Sequence, residues 1–261
     1  MLQFSRLSGY SHIGHFVTTR EGGVSKGPYA SMNPGAYSGD DPACVKQNRQ
    51  LLAEALGISP DCFLVPFQVH EDRIAVIEAP FLTWDKQRRE AFLRGADAVM
   101  TRVPGICPVV STADCVPVLF YAPDVGAVAA VHAGWRGTVR QIVRKAVRTF
   151  VSVYHADPAR LEAAIGPFIG KEAFEVGEEV VKAFETSGAD LSAIVWRHPV
   201  SGNSHIDLGE ANRRQLLAAG VLPTRIEQAG MCTYTNPEHF FSARHLGVHS
   251  GRLWSGLWLK E

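Results

Sequence analysis

Residues 125–138 read VGAVAAVHAGWRGT, and this stretch with the stripe that follows it decides the fold. The apolar run from Val125 to Val131 reads as a buried strand that delivers His132 into a Gly-rich turn, Ala133-Gly134-Trp135-Arg136-Gly137. From Val139 onward, Ile142, Val143, Ala146, Val147 and Phe150 recur at i, i+3, i+4, i+7, i+8 and i+11. That spacing predicts a helix with one buried face, opposite Arg140, Arg144, Lys145 and Arg148. Strand-turn-helix junctions gather functional groups at one sheet edge. The glycines allow close backbone approach, and the helix amides are suited to an anion such as phosphate.

The same alternation extends outward. Short Val/Ile/Leu-rich runs at Ile106–Val110 and Val116–Tyr121 read as strands, as do Leu161–Ile165, Arg225–Met231 and Leu253–Leu259. Asp41-Pro42 opens a helix that Gly57 stops, and further helices are expected over Glu172–Phe184 and Leu208–Ala219. Gly22 to Pro42 reads as loop and as the rim of a site. Strands and helices interspersed in this way predict an α+β (mixed α/β) fold, with residues 1–261 as a single domain of mixed β-sheets flanked by helices.

Composition narrows the function. The 26 Lys and Arg balance 26 Asp and Glu, so no overall field draws the chain to nucleic acid or anionic lipid, and the basic helix face is a solvated surface. No apolar run reaches the 18 or so residues of a spanning helix, and the first residues show no secretory signal. A cytoplasmic protein acting on a small polar substrate, with no nucleic-acid or membrane partner, is expected. The five cysteines are odd in number and form no C-x-x-C pair, which argues against disulfides and zinc knuckles. Cys44, Cys62, Cys107 and Cys232 are read as core or near-core residues.

Three segments carry the candidate chemistry: FQVH ending at His70, TADCVP with Cys115, and VHAGWRG with His132. Two imidazoles and a thiolate suit Zn²⁺, and three protein ligands leave a fourth position for catalysis. The ligands stand 45 and 17 residues apart, which matches no compact zinc pattern. Asp114 beside Cys115 either orients a ligand or forms a turn.

Nearly end to end, the chain resembles the YfiH family, also called the laccase-domain-containing or multicopper polyphenol oxidoreductase family. The matching motifs are TTREGGVSKGPYASMNPGAYSGDDPACVKQNRQLLAEALG, QVH, GADAVMT, TADCVPVLF, VHAGWRGT, IGPFIG, DLGEANRRQLLAAGV, and CTY followed by FFSAR. The resemblance implies a fold like the cysteine hydrolases that include the cytotoxic necrotizing factor. It implies zinc held by His70, Cys115 and His132, and purine nucleoside phosphorylase activity on adenosine, inosine, guanosine and the methylthio analogue, with adenosine deamination at the same site. Arg20, Arg49, Arg136 and Arg244, in the matching motifs, are candidates for phosphate or substrate, and Asn33 for substrate. Pro34 departs from the Asn-Leu-Gly expected of the family and stiffens that loop.

Other patterns are set aside. His12-Ile13-Gly14-His15 leads into a strand rather than a helix, Gly166–Lys171 lacks P-loop spacing, and His245 and His249 flank a glycine, so surface histidines are expected there. None of the ten histidines forms the His-x-His pair of a four-copper oxidase, although one copper ion can occupy a His/Cys/His site. Three alternatives stay open: Cys115 as a nucleophile with His132 as its base, in a hydrolase or a peptidoglycan-precursor editing enzyme; a copper-dependent polyphenol oxidoreductase; and a structural metal site in a binding module. The oligomeric state is not expected to be legible.

Overall fold

A computed structural model describes residues 1–260. Among these residues the strands form three sheets. The central one has six strands in the spatial order Ile226–Gln228, Glu162–Ile165, Val116–Ala122, Ala127–Ala133, Ala98–Thr101, Ile74–Ile77. Its two outermost pairs are parallel and the inner ones antiparallel, giving the mixed sheet expected from interspersed elements.

Val116–Ala122 and Ala127–Ala133 are buried along their whole length, and both faces of the sheet are covered. That is why they read as continuous apolar runs rather than as an alternation. On one face Val118, Phe120, Ala129 and Val131 pack against the stripe of the helix Ile142–Tyr154, with the Phe120 and Phe150 rings 5.8 Å apart. On the other, Leu119, Tyr121, Val128 and Ala130 meet Val17, Val110 and Leu257 of a four-stranded sheet ordered Ile13–Val17, Leu253–Leu259, Cys107–Thr112, Phe63–Leu64. Helices, sheet and sheet thus make three layers, each large side chain contributing roughly 1.5–3 kcal/mol by burial. A small sheet of Val195–Arg197, Ser204–Ile206 and Glu175–Val176 lies outside them.

Several expected boundaries hold. Asp41 caps the helix Pro42–Leu56 through the Ala43 amide, and Gly57 ends it at φ 67°. Other boundaries shift. The helix expected from Val139 is two, Trp135–Val139 and Ile142–Tyr154, separated at Gln141, whose φ is 60°. Apolar periodicity does not register that break, because Gln215 on the helix Leu208–Ala218 donates to the Thr138 carbonyl (2.7 Å) and makes it tolerable. The helix expected from Glu172 starts at Glu178, after the strand Glu175–Val176 and the cap Gly177. Of the four cysteines read as core or near-core, Cys107 lies in the core and Cys44, Cys62 and Cys232 are half-buried. Cys44 stands beside the Asp41 cap, and Cys232 is held at the surface by the Gly170 amide, which donates to its sulfur (3.1 Å). Among the described residues no helix is long and apolar enough to cross a membrane.

Phe150 is fully buried between the central sheet and its covering helix. Phe150→Ala should therefore lower the unfolding free energy by about 3–5 kcal/mol, measured by urea titration, with the native fold retained at zero denaturant.

Candidate metal centre

Strand register brings the candidate ligands together. In the central hairpin Val116 pairs with Ala133 and Ala122 with Ala127, so Cys115 and Gly134, each one residue beyond the pairing, meet at the open end. Ala98 pairs with Val131, which sets Asp97 beside His132, and the His132 amide donates to the Asp97 carbonyl (2.8 Å). Ile74 pairs with Ala98 in parallel, so the segment running into that strand brings His70 to the same edge.

Asp97 has no exposed surface, and it holds the site. Its Oδ1 accepts from His132 Nδ1 (2.7 Å) and from the His70 amide (3.0 Å), while its Oδ2 accepts from the amides of Val69 (3.2 Å) and Glu71 (2.9 Å). Three successive N–H groups converge on one carboxylate because His70 sits in the left-handed region at φ 62°. The bond to Nδ1 orients His132 so that its Nε2 faces Cys115 and His70, the carboxylate-histidine arrangement that steers metal-ligating imidazoles. Burial pushes the Asp97 carboxyl up, but its bonds from His132 and the backbone outweigh this and hold it below the usual range.

The donor atoms of His70, Cys115 and His132 lie within 4.8 Å of one another, and the two imidazoles meet at 79° with ring centroids 4.8 Å apart. Bonds of roughly 2.1 and 2.3 Å at a tetrahedral angle place two donors about 3.6 Å apart, so the cluster fits a single zinc-sized ion. Gly134 packs closely against it: a Cβ there would stand 3.0 Å from Cys115 Sγ and 3.2 Å from His70 Cδ2, so both side chains would have to give way. The donor set also poises its own protons. Burial would raise the Cys115 thiol, yet the charge of His132 and hydrogen bonds from both histidines bring it down to about 6. Burial would lower His132, but Cys115 and Asp97 lift it to about 9. The proton of this thiolate-imidazolium pair sits on His132, and a bound cation would take its place.

The cluster lies on a cleft of about 900 Å³. Of the five residues proposed from sequence to meet substrate, Arg49 lines this cleft; its Nε donates to the Pro34 carbonyl (2.8 Å) and its guanidinium lies 4.8 Å over the Trp254 ring. The other four fall outside the lining. Arg20 donates to the carbonyls of Ala30 (2.8 Å) and Pro237 (2.6 Å) over Phe241 and pins two loops. Asn33 is fully buried, donates to Ser38 and Asp40 and accepts from the amides of Gly35 and Arg252, so it shapes the rim loop from beneath. Arg136 is exposed and lies over Trp135, and Arg244 is exposed and donates to the Glu175 carbonyl (3.0 Å). Asp114 takes φ 86° and accepts from Thr233 Oγ1 (2.6 Å) and the Arg244 amide (2.7 Å), so it fixes the turn before Cys115.

Two residues escaped the sequence reading. Asp97 stood in the open as an acid inside the apolar run Ala96-Asp97-Ala98-Val99. Arg252 lines the cleft; burial lowers its pKa while the charges of Cys115 and Asp114 counteract this, and its guanidinium is braced by the carbonyls of Ser250 (2.7 Å) and Val248 (2.9 Å). No local pattern marks it. The rim expected between Gly22 and Pro42 is present at Gly35, Ala36 and Tyr37.

A His/Cys/His cluster at one edge of a covered mixed sheet defines the class. The profile of the family described as multi-copper polyphenol oxidoreductase laccase matches residues 14–260, and the chain belongs to that family. It is 47% identical over 261 residues to a protein of Bacteroides thetaiotaomicron named purine nucleoside phosphorylase, covering 100% of this chain and 97% of that one. It is 43% identical to adenosine deaminase RL5 from an unknown prokaryotic organism, over 94% of this chain and 93% of that one. Among solved structures it is similar to YlmD from Geobacillus stearothermophilus, with TM-score 0.88, 35% identity and coverage of 96% and 93% of the two chains. Bacillus licheniformis YfiH follows at TM-score 0.86 and 30% identity, covering 95% of this chain and 93% of that one. These relatives support an enzyme.

Asp97→Asn keeps the shape of the carboxylate but puts an amide opposite the N–H donors. It should weaken zinc binding by about 10–100-fold in competition with a chromophoric chelator while the circular dichroism spectrum stays native. In metal-free protein, iodoacetamide labelling of Cys115 should rise as pH passes about 6, since the thiolate forms above that value. His132→Ala removes the neighbouring cation and leaves the upward push of burial, so the labelling midpoint should move up; an unchanged midpoint would contradict the pairing.

Proposed function

We propose that the chain is a zinc-dependent purine nucleoside phosphorylase that also deaminates adenosine. The observation that carries this reading is the His70, Cys115, His132 cluster opening on the cleft that Arg49 and Arg252 line. When bound, the ion supplies Lewis-acid chemistry, drawing electron density from a substrate atom and acidifying water.

The residues supply the rest. His70, Cys115 and His132 hold the ion, and Asp97 keeps the His132 ring turned toward it. Arg49 and Arg252 provide the cationic donors that phosphorolysis needs. A phosphate oxygen attacks C1′ of the ribose, the bond from C1′ to the base breaks, and the electron pair leaves with the base; guanidinium groups hold the attacking dianion in place. In deamination, water adds at C6 of adenine and ammonia departs. Phe67, which lines the cleft, offers apolar surface to a purine ring. The names of the two relatives, a phosphorylase and an adenosine deaminase, support both halves of the reading.

One observation favours a second reading. Cys115, His132 and Asp97 form a thiolate-imidazolium-carboxylate line, which is also the arrangement of a cysteine hydrolase.

One experiment separates them. Purified zinc-loaded protein incubated with adenosine and phosphate should yield adenine with ribose 1-phosphate, together with inosine, by mass spectrometry. His132→Ala should lose both, and chelation should abolish turnover until zinc is restored. No product above the His132→Ala control would end the nucleoside reading, and turnover that survives chelation but stops on Cys115 alkylation would establish the hydrolase.

A further inference from the structure

On the helical face of the central sheet, away from the metal centre, the helices Ile142–Tyr154 and Leu208–Ala218 enclose a second cavity with the segment from Phe184 to Ile194. It measures about 630 Å³, within the roughly 300–1,000 Å³ of small-molecule sites, and none of the metal-centre residues lines it. Its inner wall is apolar: Phe184 and Ile194 are 1% and 2% exposed, and Ala211 is buried beside them.

The charges around it are unevenly matched. Arg213 is bidentate on Glu210 (2.6 and 2.9 Å), and Arg214 spans Glu210 (2.7 Å) and Asp190 (2.9 Å). Arg144 has no such partner. Its Nη1 donates to the neutral Gln141 Oε1 (3.1 Å), and its Nε, shielded from solvent, has no acceptor. Among the described residues no carboxylate lies within 4 Å of it, so three guanidinium groups face two acids. A buried guanidinium N–H without an acceptor is costly, and native proteins seldom keep one without a use. Arg144 Nη2 also has no acceptor and is not shielded, so it is the donor that an oxyanion in the cavity can reach.

We propose that this cavity binds a small organic oxyanion, a phosphomonoester or carboxylate. Its headgroup sits on Nη2 of Arg144, and its apolar body lies against the part-buried Ala189 and Leu217. Gln141 and Gln215 hold Arg144 in register: Gln141 accepts from Nη1, and Gln215 Oε1 accepts from the Arg144 amide. The site is independent of the cleft, so the nucleoside reading can fail without affecting it.

Phenyl phosphate and benzoate are the probes, titrated into ¹⁵N-labelled zinc-loaded protein while the amide signals of Gly188 and Ala189, which line the cavity, are followed. Saturable shifts are expected with at least one probe, and none with benzyl alcohol, which has a similar body and no charge. Arg144→Gln should weaken binding by about tenfold or more. Since that change removes an unpaired cation, its melting temperature should equal or exceed that of the parent. Ala218→Trp, at the exposed rim, fills the mouth with Arg144 in place and should abolish the shifts, which keeps the test decisive if Arg144→Gln misfolds. Preference for phenyl phosphate identifies the phosphomonoester, preference for benzoate the carboxylate. Unmoved amides with both probes, equal affinity in Arg144→Gln, or equal response to benzyl alcohol would overturn the proposal.

Discussion

One buried carboxylate governs the candidate centre. Asp97 accepts from His132 Nδ1 and from three consecutive backbone amides around His70, so two of the three metal-ligand candidates are positioned by the same two oxygen atoms. An isolated ionised acid in the interior would be expensive, and four donors offset that cost only because they arrive from two separate segments. The dependence is mutual. Without the converging amides Asp97 would not remain charged, and without Asp97 the left-handed backbone at His70 would lose the bonds that stabilise it.

The layered core explains why this arrangement can be rigid. The strands carrying Asp97, Cys115 and His132 to their common edge are covered by helices on one face and by a second sheet on the other, and their interior residues are nearly all fully buried. A centre built at the end of such strands inherits their fixed spacing, which a loop-borne centre would lack. The absence of a side chain at Gly134 leaves the thiol and imidazole room beside each other. Charge is matched locally as well: thiolate, imidazolium and carboxylate lie in line, so the pocket is electrostatically prepared for a cation to replace a proton.

The helical face is built on the same stripe of apolar residues but ends in a different chemistry. The break between the helices Trp135–Val139 and Ile142–Tyr154 turns Gln141 toward the Ser187 carbonyl and leaves Arg144 at the wall of a second cavity. One edge of the sheet therefore gathers a candidate metal centre held by an acid, while the helical layer over one face presents an unpaired cation.

Much of this was written locally. The apolar run 127–133, the stripe on Ile142 to Phe150, the Asp41 cap and the Gly57 stop are short-range patterns, and short-range sterics and periodicity suffice to read them. His70, Cys115 and His132 were offered as polar groups at the ends of apolar runs, a pattern that the family resemblance made specific. Asp97 was not, although it stands in an apolar run, because its meaning lies in amides 26 to 28 residues away and an imidazole 35 residues away. Arg252 lines the cleft while Arg20 and Asn33 turn away to brace loops, and all three outcomes depend on which carbonyls and amides the folded chain brings within reach. The sequence by itself determined the interspersed strands and helices and the strand-turn-helix unit, since these follow from local periodicity, and offered the ligand candidates by residue type and family resemblance. Tertiary structure alone decided which carboxylate holds them and which arginines face the cleft, because hydrogen bonds between distant segments exist only after strand register has set their separation.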